Sequence, residues 1–131
     1  MLTKELSKLP ALRPSFIEPM YVRPISELPE GNLWSYEAKL DGYRCLAAKY
    51  SGGVTLWSRR GNNGFTTRFP GIARACGNLP PNTLIEGEVV AVDENGRASF
   101  NALQHSRAGT HIQFYVFDIL IYRRPAEGIN L

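Results

Sequence analysis

Apolar-rich stretches bounded by turn residues recur along the chain and predict strands separated by short helices. From Trp34 to Ala48 the residues suit a strand. Ser51-Gly52-Gly53 then supplies a tight turn into Val54-Thr55-Leu56-Trp57-Ser58, so a β-hairpin is predicted. Leu84 to Val92 reads as another strand, followed by the turn chemistry of Asp93-Glu94-Asn95-Gly96. His111 to Tyr122 is apolar on both faces except at Asp118, which predicts a central strand. Thr66 or Thr67 can open a helix running from about Phe69 to Cys76 with Gly77 near its end, and Ser99 begins a short helix through Gln104. Arg59 to Gly64 is polar and glycine-rich, hence a loop, and Pro80-Pro81-Asn82 breaks the chain. Upstream, prolines at 10, 14, 19, 24 and 29 permit at most a short helix around Thr3 to Leu9 and otherwise an extended arm. The predicted fold class is α+β, with mainly antiparallel sheets and short helices, preceded by an extended lead-in over residues 1–30.

Composition narrows the class without naming a function. The chain has 131 residues, 44% hydrophobic and 21% charged, which suits one globular domain or part of one and argues against a disordered tail. Eleven arginines and four lysines oppose twelve acids, for a formal charge of +3. That mild basic bias is compatible with a polyanionic partner but does not establish one. Cys45 and Cys76 lie apart with no metal spacing, so a reduced cytoplasmic setting is expected rather than a disulfide framework or zinc site. The apolar stretches fall short of the roughly 18 residues that span a bilayer, and no signal peptide is visible.

The candidate chemistry lies in Lys39-Leu40-Asp41-Gly42-Tyr43-Arg44. Together these supply an amine to attack phosphorus, an acid to orient it, a glycine for close backbone approach and a guanidinium fork for phosphate. A free lysine has a pKa of about 10.4, so such an amine wants desolvation and cationic neighbours, each unit of depression being worth about 1.4 kcal/mol. Taken alone, the hexapeptide fits equally an exposed strand lysine paired with Asp41 on the same face. Glu86 and Glu88 also share one strand face, either as a solvated polar face or as hard oxygen donors suited to magnesium. Phe117, in an apolar strand, has packing as its ordinary role. His105 and His111 lack a partnered nucleophile or metal spacing.

The order of segments adds to these local readings. The lysine hexapeptide, Ser58-Arg59-Arg60-Gly61-Asn62 with Arg68-Phe69-Pro70, Leu84-Ile85-Glu86-Gly87-Glu88-Val89, and Tyr115-Val116-Phe117-Asp118-Ile119-Leu120 follow one another along the chain. This series resembles the nucleotidyl-binding motifs of ATP-dependent DNA ligases and related covalent nucleotidyltransferases. Gly96 to Gln104 continues as bacterial ligases do, and Phe16-Ile17-Glu18-Pro19-Met20 with Trp34-Ser35-Tyr36-Glu37 resembles more narrowly the bacterial ligase D type. The resemblance implies a partial nucleotidyltransferase domain, an ATP-grasp-like ligase adenylation domain, of which residues 31–131 would be the front part. It implies that Lys39 carries AMP from ATP as a phosphoramidate, with Asp41 and Arg44 completing the catalytic set. Glu37 would read adenine, Leu40 would line the pocket, and Phe117 would stack on the base. Arg44 and Arg59 would contact ribose or phosphate, Glu88 would bind ribose or Mg2+, and Glu86 would be a second metal ligand.

The implied partner is nicked or broken double-stranded DNA, in a cytoplasmic, nucleoid-associated setting. Arginines 59, 60, 68, 97 and 107 are candidates for a phosphate-facing patch. No lysine follows Lys49, whereas the family binds the triphosphate with paired lysines of a later motif. The chain is therefore expected to lack the C-terminal half of the adenylation domain and the oligonucleotide-binding (OB) fold. Alone it should self-adenylate weakly or not at all and present open sheet edges for self-association. RNA ligase or messenger-capping nucleotidyltransferase activity is the alternative within the same chemistry. A non-catalytic DNA- or partner-binding remnant is the alternative outside it.

Overall fold

In the computed structural model the structure describes residues 12–105 and 110–122. The helix expected at Thr3 to Leu9 and Arg107 of the expected patch lie outside them. Among the described residues, four strands and three short helices follow in the order β1 (Tyr43–Tyr50), β2 (Gly53–Ser58), α1 (Phe65–Arg68), α2 (Pro70–Cys76), β3 (Thr83–Val92), α3 (Phe100–His105) and β4 (His111–Ile121). The strands form one antiparallel sheet in the order β2-β1-β3-β4. The α+β expectation therefore holds, as does the hairpin closed at Ser51 to Gly53.

Local chemistry explains the element boundaries. Asp93 Oδ1 accepts from the backbone N–H groups of Asn95 and Arg97 at 2.9 Å each, building the turn after β3. Ser99 Oγ accepts the Ala102 N–H at 3.1 Å and so caps α3. The helix expected over 69–76 is preceded by a separate turn of helix, because Pro70 disfavours the helical conformation at Phe69, which sits at φ −121° and ψ 65°. Thr66 does not cap that turn. Its hydroxyl accepts the Leu56 N–H at 2.9 Å and ties α1 to β2, while Gly64 holds the N-cap position.

Two expectations about the strands are corrected. The strand predicted from Trp34 starts only at Tyr43, where the β1–β3 ladder ends at the Tyr43–Val89 pair. Residues 34–41 carry no regular structure, and the lysine motif lies on this lead-in. β4 is an edge strand among the described residues rather than a central one. Its Ile112, Phe114 and Val116 line a groove beside α2, Leu120 and Ile121 pack against the Leu84 side of the sheet, and Val116, Phe117 and Ile119 are at least 47% exposed.

The sheet buries both faces of β1 and β3. On the helix side, Cys45, Ala47, Leu56, Ile85, Val89 and Leu103 pack with Ile72 and Cys76 of α2. On the other side Leu46, Ala48 and Leu84 form a smaller cluster, covered by Trp57, Tyr50 and Phe16 of the N-terminal arm. This second face carries the candidate site.

Candidate functional site

Strand alternation places Arg44 on the same face as Leu46, and the antiparallel register sets it opposite Glu88. Glu86 lies two residues away on that face of β3. Arg44 Nε donates to Glu86 Oε1 at 2.7 Å, with the two side chains only 22% and 6% exposed. A charge-assisted bond of this kind, largely out of water, fixes the guanidinium plane. The Arg44 guanidinium carbon lies 5.0 Å from the centroid of the Phe117 ring, within cation–π range.

Phe117 reaches that position through a β-bulge. Glu86 pairs with Asp118 and Gly87 with Val116, so Phe117 is the extra residue on β4. A bulge of this kind re-aims a side chain. Gly87 permits it, because a Cβ there would run into the backbone carbonyl of Tyr115. Gly42 plays a parallel part on the other side of β3. A Cβ at Gly42 would overlap the carbonyl oxygen of Val89, so only glycine lets the lysine segment lie down on the sheet at this point.

That close approach brings the lysine segment to Glu88. Burial pushes the Glu88 carboxyl above its usual range, while Arg44, the Gly42 backbone N–H that donates to it, and Lys39 all favour the charged form. Lys39 Nζ sits 3.6 Å from Asp41 Oδ1 with both side chains largely in solvent, at 88% and 65% exposure. This is the exposed same-face pairing considered from the sequence, although on a lead-in rather than in a strand. Leu40 beside it is half-buried.

Arg44, Glu86, Glu88 and Phe117 are thus brought together, with Lys39 and Asp41 at the rim. Glu37 is exposed and makes no hydrogen bond or ion pair among the described residues. Arg59 stacks on Tyr21 of the arm at 5.5 Å, and the Tyr21 hydroxyl donates to Glu18 at 2.9 Å. Arg59 therefore serves the arm rather than this cluster. Arg68 lies over the rings of Tyr43 and Phe69 at 4.9 and 5.2 Å, contacts that sequence inspection did not single out. The signal available for them was the aromatic flanking of Arg68 at Phe69 and the Tyr43 preceding Arg44. Cys45 and Cys76 are free and buried, and burial pushes the Cys45 thiol up to about 12.

No group of three or more His, Cys, Asp or Glu among the described residues could hold a metal ion. Glu86 Oε1 is engaged by Arg44, so Glu88 is the carboxylate of the pair without an ion-pair partner within salt-bridge distance. One carboxylate suits magnesium, which keeps most of its water and is commonly shared with substrate phosphates. No helix among the described residues is long and apolar enough to cross a membrane.

The model of the ATP dependent DNA ligase domain matches residues 19–126 of the chain. The multifunctional non-homologous end joining protein LigD of Pseudomonas aeruginosa is 36% identical over 110 residues, 81% of this chain and 13% of that protein. DNA ligase C2 of Mycolicibacterium smegmatis is 34% identical over 124 residues, 86% of this chain and 33% of that protein. Among solved structures, the ligase domain of M. tuberculosis LigD superposes with a TM-score of 0.56 at 33% identity, over 64% of this chain and 28% of that one. A mycobacterial DNA ligase D complexed with ATP and MES superposes equally well, with a TM-score of 0.56. The chain thus spans 13% to 33% of the length of these two protein relatives.

Proposed function

We propose a function from one premise: the chain belongs to the ATP-dependent DNA ligase family and carries its nucleotidyltransferase fold. It contributes the lysine and one wall of the nucleotide site in a DNA nick-sealing reaction. Lys39 Nζ, once deprotonated, attacks the α-phosphorus of ATP. A P–N bond forms, the bond to the bridging oxygen breaks, and pyrophosphate leaves with the electron pair while the ammonium proton passes to solvent. A 5′-phosphate oxygen of DNA then displaces the amine from the adenylyl phosphorus, and the 3′-hydroxyl finally displaces AMP to close the phosphodiester.

The observation that carries this reading is the convergence of Arg44, Glu88 and Phe117 on one face beneath the Lys39 segment. Phe117, half exposed, offers a ring to a planar base. Arg44 faces ribose or phosphate, and Asp41 orients the Lys39 amine at 3.6 Å. Glu88 takes ribose or Mg2+, Glu37 reads the base edge, Leu40 closes the pocket, and Arg59, in the loop after β2, would leave its stacking on Tyr21 to meet phosphate. Magnesium, when bound, would neutralise the developing charge on the phosphates. Nicked or broken duplex DNA is the substrate, which sets the protein in a cytoplasmic, nucleoid-associated role. The rest of the adenylation domain and an OB-fold are partners in full activity. Self-association of this polypeptide through the exposed β4 edge is a further part of the proposal.

Incubation with α-labelled ATP and magnesium tests the assignment. The 131-residue polypeptide should label faintly or not at all, and addition of the C-terminal part of an adenylation domain should raise the label strongly. Lys39→Ala should abolish it, and ATP should outcompete GTP. Strong labelling by the polypeptide alone would overturn the view that it is weak in isolation, and label surviving Lys39→Ala would overturn the assignment of the nucleophile. Salt-dependent binding to nicked DNA with no adenylate under any condition would favour a binding role without turnover.

A further inference from the structure

We propose that Glu86 is a positioning residue, which holds Arg44 across the face of Phe117 and thereby presents the free face of that ring to the nucleotide base. This inference rests on the nucleotide-site reading above and replaces the role of metal ligand for Glu86. Three observations carry it. Glu86 is 5% exposed, the deepest acid on the sheet, and it receives the Arg44 Nε–H at 2.7 Å. The same guanidinium lies 5.0 Å from the Phe117 centroid, so one planar cation bridges a buried carboxylate and a half-exposed ring. Phe117 itself is the bulged residue of β4, without a ladder partner at its own position, so packing against Arg44 sets its orientation.

The chemistry distinguishes the two carboxylates of the Glu86-Gly87-Glu88 triplet. A carboxylate that already accepts a short bond from a guanidinium has lost much of its value as a hard-cation ligand, because the arginine charge opposes a second cation at the same oxygens. Glu88, whose partners are the Gly42 N–H and the fields of Arg44 and Lys39, remains open to substrate or metal. Glu86 therefore acts one step removed from the nucleotide, through Arg44 and Phe117.

Binding of a fluorescent ATP analogue to the full chain, competed by unlabelled ATP, tests the inference with Glu86→Gln, Phe117→Ala and the double variant, each in magnesium and in EDTA. Glu86→Gln should weaken binding about tenfold, the scale of one charge-assisted bond to a positioned arginine. The loss should be the same with and without magnesium. In the Phe117→Ala background the same substitution should cost clearly less than in the wild-type chain, because the part of its effect that passes through the ring is gone. Full additivity of the two losses, or a loss confined to the magnesium arm, would overturn the positioning role while leaving the site reading intact. Wild-type chain that binds no competable ATP, or Phe117→Ala that binds as wild type, would overturn the site reading and this inference with it. Should Glu86→Gln melt below the assay temperature, Glu86→Asp carries the test. Withdrawing the carboxylate by one methylene should give an intermediate, magnesium-independent loss, and wild-type affinity in that variant would sink the proposal.

Discussion

Gly42 has no side chain because β3 leaves no room for one. Its backbone rests on the Val89 carbonyl, and its N–H serves Glu88. Gly42→Ala should therefore destabilise the fold by about 1–3 kcal/mol through overpacking, read from urea denaturation. Gly52→Ala, where a Cβ meets nothing within 4 Å, should stay within about 0.5 kcal/mol of wild type. Glu88 makes a prediction of opposite sign. Its folded-state carboxyl titrates above the ordinary value because burial disfavours its charge. Between the ordinary and the raised value the folded state holds more protons than the unfolded one, so stability falls as pH rises through that window and stays lower above it. Glu88→Gln should raise Tm at neutral pH, and the gain should fade on acidification below the ordinary carboxylate range. The same variant should lose nucleotide affinity, a stability gain obtained at a functional position.

The elements are held at the site by contacts made across the sheet rather than along the chain. The arm has no regular structure, yet Phe16 meets Trp57 edge-on at a centroid distance of 6.3 Å and lies against Gly61. That contact covers the Leu46, Ala48 and Leu84 cluster next to Arg44. Phe16→Ala should lower stability by about 1–2 kcal/mol, less than for a fully enclosed phenylalanine, since Phe16 is only half-buried. The emission of Trp57 should shift to the red as the ring leaves it, and an unmoved spectrum would count against this anchoring. The break at Pro70 belongs to the same scale. It separates α1, which Thr66 fastens to β2, from α2, which packs Ile72 and Cys76 into the core.

At the scale of the whole molecule, the sheet ends in two edge strands, β2, whose Leu56 is bonded to Thr66 of α1, and β4, whose outer edge no described strand covers. β3 is buried at nine of its ten positions between β1 and β4, whereas β4 has none that is fully buried and has no described neighbour beyond it. An eleven-residue edge strand with apolar residues on both faces is a template for another strand. The polypeptide should associate as its concentration rises, seen as an increasing mass in light scattering. Ile119→Lys, at a position 60% exposed, should suppress the increase. A constant monomer mass over the whole range would rule the edge out as an interface.

The amino-acid sequence by itself determined the α+β class, the hairpin at Gly52-Gly53, the cap at Ser99 and the order of the ligase-like segments, because turn chemistry, capping and the period of two are local properties of neighbouring residues. It also pointed to glycine at 42 as a place of close backbone approach. The sequence did not reveal that Lys39 lies off the ladder, that β4 is an edge strand, or that Glu86 is tied to Arg44 while Glu88 is not. Those outcomes depend on the register between strands 42 residues apart and on one bulge that moves Phe117 out of step. Two acids of identical chemistry two residues apart acquire different roles because only the packed sheet decides which one meets a guanidinium.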